Sequence, residues 1–194
     1  LPTMAGVERA IPATKSFTTQ LVVLSLLALY TARLRGRMTR AVVESHLRNL
    51  LEVPAEMARV LPEWEAQIAA LAPHLHNAES FLFLGRGVHY AIAREGALKL
   101  KESAYIQAEG YPTGELKHGP NALVNPQTPL IALATRDPRA PDSLLRYEKT
   151  VNLLSDMKQQ GAEVVAIVSE GDTRIPQLVQ HAIHVPEASA ESKP

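Results

Sequence analysis

Residues 80–87 read Ser80-Phe81-Leu82-Phe83-Leu84-Gly85-Arg86-Gly87. The run is apolar without polar alternation, too short for an ordinary helix, and it stops at a Gly-Arg-Gly turn. A strand buried on both faces has this signature, because a strand inside a parallel sheet meets helices above and below. The sequence downstream keeps the same rhythm. A helical pattern covers residues 90–109, and an irregular stretch covers residues 110–120. Residues 129–134 (PLIALA) give a second strand, and residues 143–160 a helix with Asp142 as its cap and Gly161 as its stop. Residues 163–169 (EVVAIVS) give a third strand, residues 176–180 a short helix and residues 182–185 a fourth strand. Short apolar strands alternating with helices predict an α/β fold, a parallel sheet with helices on both faces.

Upstream of Pro73 no strand is visible. Thr14 or Ser16 can cap a helix running to about Arg35, with Gly36 suited to its C-terminal stop. Thr39 can cap a second helix reaching about Glu52, and Pro54 and Pro62 then punctuate two shorter helices. The division predicted is a helical segment over residues 1–72 and an α/β domain over residues 73–194. The most apolar stretch, from Leu21 to Tyr30, is broken only by Ser25. At about ten residues it falls short of the roughly 20 that cross a bilayer, so it reads as a buried helix and no membrane association is expected. The chain opens at Leu1-Pro2 and closes on a polar run, which reads as a piece of a longer protein.

Composition narrows the function. Twenty Lys and Arg balance twenty Asp and Glu, so the basic excess of a nucleic-acid binder is missing. Cysteine is absent, which removes disulfides and thiolate metal sites and suits a reducing, cytoplasmic setting. His74 and His76 stand apart from any carboxylate at ligand spacing, so no metal is expected.

Three stretches can carry chemistry. Gly85-Arg86-Gly87 lies between a strand and a helix, where a backbone can approach a ligand and helix N–H groups can meet an anion; an ordinary βα turn reads the same way. Glu95, Lys99 and Glu102 are spaced i, i+4 and i+7 and share one helix face, opposite Ala93, Ala97, Leu100 and Ala104. That face is a solvated ion-pair stripe, or a carboxylate and an ammonium set for proton transfer. Gly114-Glu115-Leu116-Lys117-His118-Gly119-Pro120 is a loop dense in charged groups, with a histidine suited to acid/base work near neutral pH.

Taken together, Gly85-Arg86-Gly87 with Tyr90, the run from Glu95 to Glu102 and the run from Gly114 to Pro120 resemble the isomerase half of the glucosamine-6-phosphate synthase family, the glutamine:fructose-6-phosphate amidotransferases. Tyr105-Ile106-Gln107-Ala108-Glu109 and Thr14-Lys15-Ser16-Phe17-Thr18-Thr19-Gln20 fit the same family. The resemblance implies tandem sugar-isomerase (SIS) domains, each a flavodoxin-like αβα sandwich, with residues 1–72 the helical end of the first and residues 73–194 most of the second. It implies formation of glucosamine 6-phosphate from fructose 6-phosphate and ammonia, without a metal or other cofactor, in a homodimer. By motif, Glu102 matches the base that moves a proton between C1 and C2, and Lys99 its helical partner. His118 matches the histidine of sugar-ring opening, contributed across a dimer interface. Gly85, Arg86, Gly87, Ala13 and Thr14 fall where the family meets its phosphosugar. Ala13 replaces the serine usual in synthases, and Ala13-Thr14-Lys15-Ser16-Phe17 is closer to the glucosamine-6-phosphate deaminases of the same fold. The glutaminase domain, the first domain's Ser/Thr-rich phosphate loop and the tail with the Schiff-base lysine are absent from these residues, so the 194 residues alone are expected to be inactive. The alternatives are a deaminase and a SIS module that binds a sugar phosphate without catalysis.

Overall fold

All five strands run in one direction. In the computed structural model, which describes residues 1–186, they are β1 (Ser80–Gly85), β2 (Gln107–Pro112), β3 (Leu130–Ala134), β4 (Val164–Ser169) and β5 (His181–Val185). Their order in the sheet is β2-β1-β3-β4-β5, every pair parallel. This is the flavodoxin-like arrangement. The strands are joined through α3 (Val88–Ala104) and α4 (Pro141–Gln159), with 3-10 turns at Leu116–His118, Pro120–Leu123 and Ile175–Gln177.

Side chains alternate across the sheet and meet two different cores. Leu82, Leu84, Leu130, Ala132, Val164 and Val168 join Tyr147, Leu154 and Met157 of α4 and Leu116 of the first 3-10 turn. Phe81 and Ala108 join Ala97 of α3, with Phe83, Leu100, Ile131 and Leu75 against them. Helical layers therefore lie on both faces, and the three-layer αβα sandwich expected from the sequence is the fold observed.

The chain resolves into two compact units, Leu1–Arg59 and Val60–Glu187. The first contains α1 (Lys15–Leu34) and the opening of α2 (Arg40–Leu75). Gly36 adopts φ +64° in the turn after α1, and Thr39 Oγ1 accepts the Val42 amide at 3.4 Å as α2 begins. The later turns of α2 belong to the second unit, where the Trp64 indole N–H donates to the His184 carbonyl at 2.8 Å.

Three expectations need correction. The helix from Thr39 does not stop at Glu52: α2 is one helix of 36 residues that runs through Pro54, Pro62 and Pro73. All three prolines are exposed, so the carbonyls they free face water, and Ala-Glu-Met-Ala-Arg after Pro54 favours continuation. The helix over residues 90–109 is too long. α3 ends at Ala104, Tyr105 caps it at φ +57°, and residues 107–112 form β2 instead of loop. β2 is an edge strand, the place where a strand tolerates Gly110 and Pro112. Finally, α1 is 20 residues long with mean hydropathy 1.4, long and apolar enough to cross a membrane on those measures alone. The ten-residue count missed the flanking turns, so length does not exclude a span, and the buried helix expected from the sequence is not observed: no residue of α1 is buried within this chain.

Candidate functional site

α3 holds the first constellation. Its buried face is made by Ala93 and Ala97, small enough to seat the helix closely on the sheet. The opposite face carries Glu95, Lys99 and Glu102. The Lys99 ammonium donates to Glu102 Oε2 at 2.7 Å and stands 3.3 Å from Glu95 Oε1. These three side chains are 23–24% exposed, neither free in solvent nor sealed from it. The hydrogen bond to Glu102, then the pairing with Glu95, outweighs partial burial and raises the Lys99 pKa. One cation between two carboxylates leaves the patch with a net negative charge and one carboxylate in excess. A carboxylate fixed on a rigid helix, beside a donor that stays charged, can exchange a proton with a substrate carbon or oxygen.

His118 is elsewhere. It closes the turn Leu116–His118 and is exposed. Leu116, two residues earlier, is fully buried in the core between the sheet and α4, and Lys117 pairs with Asp156 of α4. His118 thus belongs to the α4 layer and Glu102 to the α3 layer, on opposite sides of the sheet. The structure brings Lys99 and Glu102 together and leaves His118 apart from them within one chain.

Gly85, Arg86 and Gly87 sit at the carboxyl edge of β1. A Cβ on Gly85 would lie 2.2 Å from the His89 carbonyl oxygen, so this glycine admits the first turn of α3. Gly87 begins α3 at φ +59° and ψ −124°, a conformation for glycine alone. The Arg86 guanidinium lies over Gly114, and the Thr113 amide donates to the Gly85 carbonyl at 2.9 Å, so the loops after β1 and β2 are neighbours. Glu102, 14 residues into α3, is about 20 Å further along the helix. Ala13 and Thr14 belong to the first unit, where Thr14 caps α1 through its carbonyl, accepting the Thr18 amide at 3.1 Å, without a side-chain cap bond.

The sequence did not flag the groups at the ends of β3 and β1 that meet each other. His89 Nε2 and Thr135 Oγ1 are 2.9 Å apart. Burial, and then the charge of Arg146, lowers the His89 pKa. Arg136 stacks over the Tyr147 ring at 5.0 Å. The readable signal was position: Thr135 and Arg136 directly follow a strand of a parallel sheet. Arg146, on α4, had no such signal. Among the described residues no cluster of three or more His, Asp or Glu is placed to hold a metal ion.

Comparison with known proteins assigns the family. The SIS domain model matches residues 74–192. The chain belongs to the SIS domain family. Outside that model the similarity continues over nearly all of this SIS chain. It is 45% identical over 186 residues to the glutamine–fructose-6-phosphate aminotransferase [isomerizing] of Bordetella pertussis, covering 95% of this chain and 29% of that protein. It is 43% identical over 183 residues to a protein of the same name from Thermus thermophilus, covering 94% of this chain and 29% of the other. The C-terminal domain of glucosamine-fructose-6-phosphate aminotransferase from Francisella tularensis superposes with a TM-score of 0.82 at 34% identity, over 94% of this chain and 49% of that one. The chain therefore spans about three-tenths of the curated relatives it matches and half of the solved domain. The resemblance to the isomerase half of the synthases holds at the level of family, fold and sequence.

Proposed function

We propose that this chain is the greater part of the second SIS domain of a glucosamine-6-phosphate-forming isomerase, with residues 1–72 the helical end of a first SIS domain. The observation that carries the reading is the Glu95–Lys99–Glu102 face, with Lys99 bonded to Glu102, in a chain similar throughout to proteins named aminotransferases [isomerizing]. In this reading ammonia condenses with the C2 carbonyl of open-chain fructose 6-phosphate and water leaves, and the Glu102 carboxylate then takes a proton from C1 of the resulting imine and returns it at C2. Lys99, held protonated, donates to the sugar hydroxyls and keeps Glu102 aimed. His118 protonates the ring oxygen as the sugar opens, and it reaches the Glu102 of a second copy. The separation of His118 from Glu102 across the sheet supports that last assignment. Ala13 and Thr14 meet the phosphosugar. The same reading makes the protein a cytoplasmic homodimer that uses no metal or redox cofactor.

The test exchanges this chain for the matching segment of the Thermus thermophilus relative and follows solvent deuterium entering the sugar at C1 and C2. Glu102→Gln keeps the shape and removes the base. It is expected to slow exchange by at least about a hundredfold, the lower scale for general base catalysis. Exchange at the unsubstituted rate would leave α3 an ion-pair stripe and make the chain a sugar-phosphate-binding module.

A further inference from the structure

We propose that Asp156 is a positioning residue for His118: through Lys117 it fixes the turn from which the histidine meets the sugar ring. This rests on the ring-opening role given to His118 above and adds what holds that group in place.

The His118 ring has no support of its own. It is exposed, and among the described residues it takes part in no side-chain hydrogen bond or ion pair. Its place is set by the backbone of the turn Leu116–His118, where the His118 amide donates to the Glu115 carbonyl at 3.0 Å. The exit from that turn is loose. Gly119 follows at φ +142° and ψ −58°, with nothing within 4 Å of where a Cβ would be, so neither a side chain nor packing stiffens it.

Two side chains tie the turn to the rest of the domain. Leu116 is fully buried in the core it shares with Leu154 and Met157 of α4. An apolar anchor resists withdrawal but has no direction, so the turn can still swivel about it. Lys117, the next residue, bonds to the Asp156 carboxylate and supplies the direction. Asp156 is well placed for this. Leu154 and Met157 on either side of it are fully buried, so the carboxylate stands on a helix that packing holds still. Lys158, two residues on, donates to the Gln177 carbonyl at 2.7 Å and is engaged there.

Magnitudes separate aiming from stability. The Lys117 and Asp156 side chains are 56% and 40% exposed, and an ion pair that open adds little to stability. A displaced reacting group costs far more, since about 1 Å of misplacement can slow a step about a hundredfold. The pair therefore matters for where His118 stands. In the proposed dimer it acts on a site it does not line: Asp156 of one chain governs ring opening beside the Glu102 of the other.

The test uses the Thermus thermophilus relative carrying this chain in place of its own segment, with ammonia supplied, and follows C1 and C2 exchange in two substrates. One is fructose 6-phosphate. The other is its 5-deoxy analogue, which lacks the hydroxyl that closes the ring and needs no opening. Asp156→Asn is expected to lower kcat for fructose 6-phosphate about tenfold, to exchange the analogue at the parent's rate and to keep the parent's Tm. Asp156→Glu, which keeps the charge, is expected to retain most of the rate. Lys117→Gln is expected to reproduce the loss, and the double variant to be no slower than either single one, as for two groups that act through one contact. The proposal is overturned if Asp156→Asn handles fructose 6-phosphate as the parent does, if it slows both substrates alike, or if the two losses multiply. His118→Asn, measured alongside, tells the two failures apart. If it does not favour the analogue over fructose 6-phosphate, the ring-opening role fails and this proposal with it. If it does and Asp156→Asn slows neither substrate, His118 keeps its role and Asp156 loses its own.

Discussion

Lys99 serves two carboxylates with one ammonium. Because the Glu102 hydrogen bond raises its pKa, it keeps its proton through the neutral range and acts as a cation, which in the proposed reaction leaves the base role to a carboxylate. His89 is the opposite case. Burial first, and Arg146 second, hold its imidazole below the ordinary value of 6.5. As the pH falls below that value, the unfolded chain binds a proton that the native state still refuses. Stability from this group is therefore fully present above the unfolded pKa and is lost as the pH falls through the lowered one. His89→Gln removes the titration and keeps a polar group facing Thr135. Its Tm in phosphate-free buffer is expected to depend less steeply on pH between about 5 and 7 than the parent's. Parallel slopes would show that other histidines set the acid limit.

At the scale of the element, the β1–α3 junction separates packing from ligand chemistry. A methyl group on Gly85 meets backbone, the His89 carbonyl, and can be relieved only by moving the first turn of α3. Gly85→Ala is expected to cost about 1–3 kcal/mol, the range for forced overpacking, seen as a lower urea midpoint with no ligand present. An unchanged midpoint would return Gly85 to a ligand-facing role. β1, β3 and β4 were readable because a central parallel strand must be apolar on both faces, and Phe81–Leu84, Leu130–Ala134 and Val164–Val168 are. β2 was not readable, because an edge strand has looser demands and Gly110 and Pro112 look like breakers. The prolines of α2 misled for a related reason: exposed carbonyls find water, so the helix continues. The Glu95–Lys99–Glu102 face was legible from spacing alone. The pairing of Lys117 with Asp156 was not, since nothing local in sequence joins residue 117 to residue 156.

For the whole molecule, the site proposed to be shared between copies has a consequence that can be counted. Chains carrying Glu102→Gln and chains carrying His118→Asn are each expected to be inactive in the full-length exchange described above. In a mixed dimer, one of the two sites would then draw an intact Glu102 from one chain and an intact His118 from the other. With random association, about a quarter of the parent's exchange rate is expected to return on mixing. No recovery would place both groups in one chain's site, against their positions on opposite sides of the sheet. α1 belongs to this scale too. Leu21, Leu24 and Leu27 are 40%, 60% and 44% exposed, apolar surface of the kind that subunit or domain contacts cover.

The position of β1 in the sheet also sets a timetable. Among the described residues it is the first strand of this sheet to be synthesised, and it ends between β2 and β3. β2 follows within one helix, so one flank is covered early. The other flank waits for β3, whose chain emerges about fifty residues after β1, roughly 3–10 seconds at ordinary rates of translation. Through that interval Leu82, Phe83 and Leu84 present an unpaired apolar edge to everything else in the cell. The length of chain between β1 and β3 is thus also a delay, an interval in which that open edge can associate with other chains even after the first crossover has formed.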